Sequence, residues 1–231
     1  MTGPVIGHTA LPGDPDHAIR MEIGAFGPWQ TNAFLIWDGT SPDALVLDPG
    51  MGAAEPLLAR TAELGLRLHL IANSHGHIDH IFDNGPLKRA SGAPLAIHPD
   101  DAYRLTGTNV YGFEVEPSVK DRDLTDGEQV RIGQLTFHVL HTPGHSEGSV
   151  CLYEERVGLL LAGDVLFRGS YGRTDLPGGN DEQMVTSLVR LLRAIPPATR
   201  VLPGHGPETT MERETAWLER VAAAGRLLHP G

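Results

Sequence analysis

Apolar residues in this chain come in short bursts rather than long helical stripes. From Met21 the stretches MEIGAF, NAFLIWD and ALVLDPG follow one another, interrupted at Gly27-Pro28 and closed by Pro49-Gly50. Short apolar runs bounded by turn residues predict consecutive strands of an antiparallel meander. Over residues 53–64 the period changes: Leu57, Leu58, Thr61 and Leu64 fall at helical spacing, and Gly65 follows as a stop. LRLHLIAN then reads as a strand, a helix is expected from Asp79 to Ala90 with Gly92 closing it, and PLAIHP is another strand. Residues 100–125 are polar and irregular and read as a connecting loop.

The second half repeats this grammar. QVRIGQLTFHVLHTPG predicts a strand pair, and VCLYEE and VGLLLAGD predict two further strands. Residues 181–194 read as an amphipathic helix, RVLPGHG as a last strand and loop, and 208–228 as a terminal helix. Two such halves, about 20–125 and 126–231, packed sheet to sheet with helices outside, would give an α/β sandwich. The expected fold is therefore α/β, an αββα sandwich of two mixed sheets, forming a single domain over residues 20–231. Residues 1–19, rich in Pro, Gly and Asp, are expected as a flexible N-terminal arm.

Composition narrows the class of partner. A net charge of −11 disfavours nucleic acid, whose binding draws on Lys and Arg neutralising phosphates. Cys151 is the single cysteine, so no intrachain disulfide can form, and its place inside an apolar strand makes it a small core residue. The N-terminus carries neither a basic segment nor an apolar one, and no apolar run is long enough to cross a bilayer. A cytoplasmic protein without membrane or nucleic-acid partners is expected, with its oligomeric state open.

The chemistry concentrates in His75-Gly-His77-Ile-Asp79-His80, where a buried strand runs out. Residues i and i+2 of an extended segment project to one side, so His75 and His77 can close on one metal ion. Asp79 and His80 follow at the turn into a helix and can face a second centre. Gly76 lets the backbone curve tightly there. Three further positions obey one rule, an apolar strand, a Gly-containing loop, then a ligand type: His145 in HTPGHS, Asp164 ending GLLLAGD, and His205 in PGHG. An acid that ends an apolar strand, as Asp164 does, needs a partner. Of the remaining histidines, His8, His17 and His229 read as solvated, and His69, His98 and His138 as packing or surface residues. His141 reads as a support for His145.

In order along the chain, HGHIDH, HTPGHS, LAGD and PGHG resemble the metallo-β-lactamase superfamily, over nearly all residues after 20. Ser74 stands where many members have Thr, which keeps the hydroxyl. The resemblance implies that His75, His77 and His145 hold one metal ion, that Asp79, His80 and His205 hold another, and that Asp164 bridges them. Two divalent ions, zinc or alternatively iron or manganese, would then activate a shared water as hydroxide, with Asp79 doubling as its proton acceptor.

The run from Gly163 to Gly179, GDVLFRGSYGRTDLPGG, is similar to that of glyoxalase II-like hydrolases, which cleave acyl-thioesters such as S-lactoylglutathione. That likeness implies a small-molecule acyl-thiol substrate and offers Arg168, Tyr171 and Arg173 as contacts for it. The two arginines have an alternative structural reading, pairing with Asp175 or loop carbonyls. A related run occurs in persulfide dioxygenases, which use a single iron, and lactone or β-lactam hydrolysis by the same hydroxide is a third reading. Past His205 there is room for one helix rather than the helical extension of full-length glyoxalase II. The chain thus resembles the short single-domain group, in which the thiol carrier is glutathione or another low-molecular-weight thiol.

Overall fold

Strand alternation sorts the apolar side chains into three cores. Along Thr31–Trp37, for example, Phe34 and Ile36 enter one cluster while Ala33, Leu35 and Trp37 enter another. A computed structural model describes residues 7–8, 19–106 and 112–228. His17, His229, the side chain of His8 and most of the expected arm lie outside the described residues.

The first sheet contains β1 (Gly7–His8), β2 (Arg20–Phe26), β3 (Thr31–Trp37), β4 (Asp43–Leu47), β5 (Arg67–Ala72), β6 (Leu95–Ile97) and β7 (Arg122–Asp123), in that spatial order. The meander β1 to β4 is antiparallel, and from β4 to β7 the neighbours are parallel. The second half supplies β8 (Gln129–Ile132), β9 (Leu135–His141), β10 (Val150–Glu154) and β11 (Leu159–Gly163). A small ribbon of β12 (Leu166–Phe167) and β13 (Ser170–Tyr171) follows, and then β14 (Arg200–Pro203) and β15 (Thr209–Thr210). The second sheet runs β15-β14-β11-β10-β9-β8.

Between the sheets lies one core, with Phe34, Ile36 and Leu70 facing Phe137, Leu152 and Leu161. On the outer face of the first sheet, α1 (Ala54–Glu63), α2 (Ile78–Ile81) and α3 (Asn84–Ser91) contribute Leu57, Ile81 and Leu87 to a second core. On the outer face of the other sheet, α4 (Asp181–Ala194) and α5 (Met211–Ala224) contribute Leu188, Leu191, Trp217 and Val221 to a third. The result is the expected αββα sandwich. Cys151 lies in this third core, fully buried, its thiol pushed up to about 12 by burial. None of the described helices is long and apolar enough to cross a membrane.

Three readings of the sequence are corrected. The expected helix from Asp79 to Ala90 is two helices, α2 and α3. Running through, it would hold Pro86 in its interior, without an N–H to donate and against the carbonyl four residues back. Restarting at Asn84 puts Pro86 in the first turn of α3, and Asp83 in the break accepts a hydrogen bond from the Ala54 amide at 2.7 Å. Residues 100–125 are not merely a loop: Pro99–Thr106 is a 3-10 helix and Arg122–Asp123 is β7. The terminal helix starts later, at Met211, because Thr209 and Thr210 pair with β14 and the Thr210 hydroxyl caps the Arg213 amide.

Strand directions place the site. β11 and β14 are parallel, and β9 runs the same way because β10 is antiparallel to both β9 and β11. Their C-terminal ends therefore share one edge of the sandwich. Phe137, fully buried between the sheets, tests the framework. Phe137→Ala is expected to lower unfolding free energy by about 3–5 kcal/mol in denaturant melts, through lost burial and a cavity. A loss below about 1 kcal/mol would refute that packing.

Candidate metal centre

The structure brings all seven predicted side chains together at this edge. His75 and His77 follow β5, Asp79 and His80 lie in α2, and His145, Asp164 and His205 lie in the loops after β9, β11 and β14. In one cluster His75 Nε2 is 3.1 Å from His77 Nδ1, which is 2.8 Å from His145 Nε2. In the other, Asp79 Oδ2 is 3.1 Å from His205 Nε2 and 3.4 Å from His80 Nε2. Asp164 stands between them, its Oδ2 at 3.4 Å from both His145 Nε2 and His205 Nε2.

The outer atoms fix which ring nitrogens face inward. His145 Nδ1 donates to the Arg173 carbonyl at 2.7 Å, and His205 Nδ1 to the Trp29 carbonyl at 3.0 Å. A carbonyl can only accept, so Nδ1 of each ring carries a proton and Nε2 is the atom turned inward, a bare lone pair whenever the ring is neutral. His75 Nδ1 meets the Ser74 hydroxyl at 3.0 Å, and that hydroxyl donates to Asp48 Oδ2 at 2.7 Å. His75 Nε2 is thereby left bare as well.

Comparison with known proteins gives this arrangement its family. The profile of the metallo-beta-lactamase superfamily matches residues 26–205. The chain belongs to the metallo-beta-lactamase superfamily. It is 32% identical to the hydroxyacylglutathione hydrolase GloC of Haemophilus influenzae, over 85% of this chain and 95% of that protein. The crystal structure of BLEG-1 B3 metallo-beta-lactamase superposes with a TM-score of 0.79 at 33% identity, covering 86% of this chain and 99% of that one. TTHA1623 in a di-iron-bound form superposes with a TM-score of 0.74 at 39% identity, covering 82% and 94% respectively.

Metal ions fit this superfamily site by the chemistry of its own atoms. Two nitrogens on one tetrahedral ion, each bonded at about 2.1 Å, stand about 3.4 Å apart. The observed separations of inward nitrogens and carboxylate oxygens are close to this. Asp164 Oδ1 is buried without a hydrogen-bond partner, a cost that a cation nearby offsets. The residues fall into His75–His77–His145, His75–His80–Asp164 and Asp79–His80–His205 groups, each suited to an ion.

The two clusters differ electrostatically. Burial pushes His75, His77 and His145 below the ordinary imidazole value, His77 to about 3, keeping them neutral, the form that can hold a metal ion. Burial acts against charge at His80 and His205 too, but the carboxylates beside them outweigh it. His80 rises well above its ordinary value and His205 to about 9. Asp79, despite burial, is held at about 2 by His80 and His205, and Asp164 well below the carboxylate range by the same rings. The second cluster thus takes up positive charge even as protons.

Several supporting residues escaped the sequence reading. Asp48, fully buried at the end of β4, receives the Ser74 amide and hydroxyl, each at 2.7 Å, and faces His80 Nδ1 at 3.1 Å. The rule that singled out Asp164, an acid ending an apolar strand, applies equally to ALVLD and would have found it. Thr31 donates to Asp79 Oδ2 at 3.0 Å, and the Asn32 amide holds the carbonyls of Pro203 and Gly206. Glycines matter by close approach: a Cβ on Gly204 would lie 2.2 Å from Asp164 Oδ1.

Gly76 is needed on the same ground. Its φ is not positive, and what it supplies is room, since a Cβ there would lie 2.7 Å from Arg104 Cδ. His141 makes no direct bond to His145 and acts on its loop two residues further on. It bonds the Glu147 carbonyl at 2.8 Å and stacks on His98 with ring centroids 4.0 Å apart. Of the three candidate substrate contacts, Arg173 makes a two-pronged pair with Asp175 at 2.6 and 2.7 Å, the structural reading weighed for it. Tyr171 lies beside Trp217 of α5 in the outer core, and exposed Arg168 lines a groove with Arg213, Glu214 and Trp217.

A metal ion binding His205 and His80 must displace the protons that the carboxylates hold there. His205, at about 9, is protonated at pH 7 in the ion-free protein, so raising the pH favours the ion-bound form up to about pH 9. Calorimetric titration at pH 7 in buffers of differing ionisation enthalpy should register release of about one to two protons per chain. Affinity should rise with pH between 6 and 9. No proton release, with pH-independent affinity, would contradict this electrostatic reading.

Proposed function

We propose that this superfamily member is a two-metal hydrolase acting on acyl-thiols, with S-lactoylglutathione as the representative substrate. One observation carries the two-metal part: a single carboxylate, Asp164, faces both clusters at 3.4 Å. Likeness to a di-iron-bound relative supports it, and likeness to a hydroxyacylglutathione hydrolase supports the acyl-thiol class.

In this reading His75, His77 and His145 hold one ion, Asp79, His80 and His205 the other, and Asp164 contributes to both. Bound divalent ions, zinc or alternatively iron or manganese, supply Lewis acidity toward water and the substrate carbonyl. Asp79 stays ionised, Thr31 steadies its Oδ2, and the carboxylate would be the transient proton acceptor during attack by water. A thiol of pKa about 8.5 leaves readily as its thiolate, so cleavage needs no dedicated proton donor. Residues 163–179 act on the site through the Asp164 carboxylate and through backbone, the Arg173 carbonyl fixing His145.

The expected outcome is release of free thiol from S-lactoylglutathione by metal-loaded protein, followed with a thiol reagent and abolished by a chelator. Asp164→Asn should reduce kcat/KM at least about 100-fold. Metal-loaded protein that releases no thiol from any acyl-thiol would sink the proposal. A second reading, β-lactam hydrolysis, is favoured by the similarity to BLEG-1 and predicts faster turnover of a cephalosporin than of the thioester. One iron per chain with oxygen uptake on glutathione persulfide would instead make the protein a persulfide dioxygenase.

A further inference from the structure

The 3-10 helix Pro99–Thr106 lies against both loops that carry the first cluster, and one of its side chains ties them together. Asp101 is fully buried. Its Oδ2 accepts hydrogen bonds from the Gly76 amide at 2.6 Å and the Ser146 hydroxyl at 2.7 Å, and its Oδ1 accepts one from the Gly148 amide at 3.0 Å. Gly76 sits between His75 and His77 on the first sheet's side. Ser146 and Gly148 follow His145 on the second sheet's side. Neighbouring Arg104 reinforces the clasp, donating to Glu147 at 2.7 Å and to the Pro177 carbonyl at 2.8 Å.

Packing leaves no slack in this junction. A Cβ on Gly148 would lie 2.8 Å from the Asp101 amide nitrogen, Cβ and Cγ, and one on Gly76 would lie 3.0 Å from the Asp101 carbonyl oxygen. Two buried amides and a hydroxyl therefore depend on one acceptor-only side chain, and losing it would leave them unsatisfied.

We propose that Asp101 is a positioning residue, which sets the spacing of the His75–His77 loop against the His145 loop and thereby the metal affinity of that cluster. This deepens the two-metal reading and rests on it. Metal bonds tolerate only about 0.2 Å of error, so a small relative shift of the two loops weakens a site whose ligands are divided between them. None of the three bonds touches Asp79, His80 or His205, so the effect is confined to one ion.

Asp101→Asn preserves shape while turning an amide NH2 toward at least one of the three donors. Metal-stripped protein reloaded with cobalt, followed by visible absorption and chelator competition, reads affinity without activity. The variant should bind one ion about 10–100-fold more weakly and the other within about 2-fold of wild type. In a His145→Ala background, where the first cluster is already broken, adding Asp101→Asn should leave the remaining ion's affinity unchanged. Asp38→Asn is the control for stability alone. Asp38 is a buried carboxylate at the opposite edge, accepting from Thr40 and Gln134, and its loss should lower the Tm but neither affinity.

If Asp101→Asn yields no soluble protein, Ser146→Ala decides, with an expected loss of about 2–5-fold at the same ion. Unchanged affinities in the variant that folds, or equal weakening of both ions, overturn the inference. A wild-type chain that takes up no ion overturns the metal reading itself, and the inference with it.

Discussion

Five imidazoles and two carboxylates are crowded within a few ångströms of one another and largely out of water. That crowding is the constraint on which the rest of the structure depends. A carboxylate such as Asp164, 8% exposed, is unfavourable there unless positive charge comes close to it. Close approach in turn demands loops without bulk, which is why Gly76 and Gly204 lie where a single added carbon would collide with neighbouring side chains. The division into a neutral cluster and a proton-attracting one follows from the same geometry. Carboxylates face His80 and His205 on several sides, while burial acts almost unopposed on His75 and His77.

Support for the site is exchanged between the two halves. The Trp29 carbonyl and the Asn32 amide, from the first meander, hold the His205 loop of the second half. The Val150 amide of β10 bonds the Ser74 carbonyl, and Asp101 reaches from the first half to Ser146 and Gly148. A cleft built this way is rigid where ions would sit, since each inward nitrogen of His75, His145 and His205 is aimed by a bond at the far side of its ring. Solvent exposure increases toward Arg168 and Arg173, whose guanidinium groups lie outside this bonded shell.

Periodicity was enough for most of the architecture. Strands β2 to β5, the hairpin of β8 and β9, and α1 and α4 lie where alternation and helical spacing put them, because each such element has one face to bury. Failures came where local signals competed. Pro86 divided a helix that the apolar pattern alone would have continued, and a polar stretch hid the 3-10 helix that carries Asp101 and Arg104. His141 looked like a support for His145 by its nearness in sequence, yet its ring stacks on His98 and bonds the Glu147 carbonyl.

The sequence by itself determined the candidate ligand types, their order, and their place at strand ends, since seven histidines and acids in one shared context carry a signal that any one of them alone does not. It also determined the sandwich, because two sets of apolar strands and amphipathic helices can bury their faces in few ways. Only the tertiary structure decided which side chains support which. Asp101 meets Gly76 across 25 residues of chain and Ser146 across 45, Trp29 meets His205 across 176, and Asp164 comes to face both clusters. Contacts of that kind depend on how loops from separate strands close in space, and no spacing along the chain encodes them.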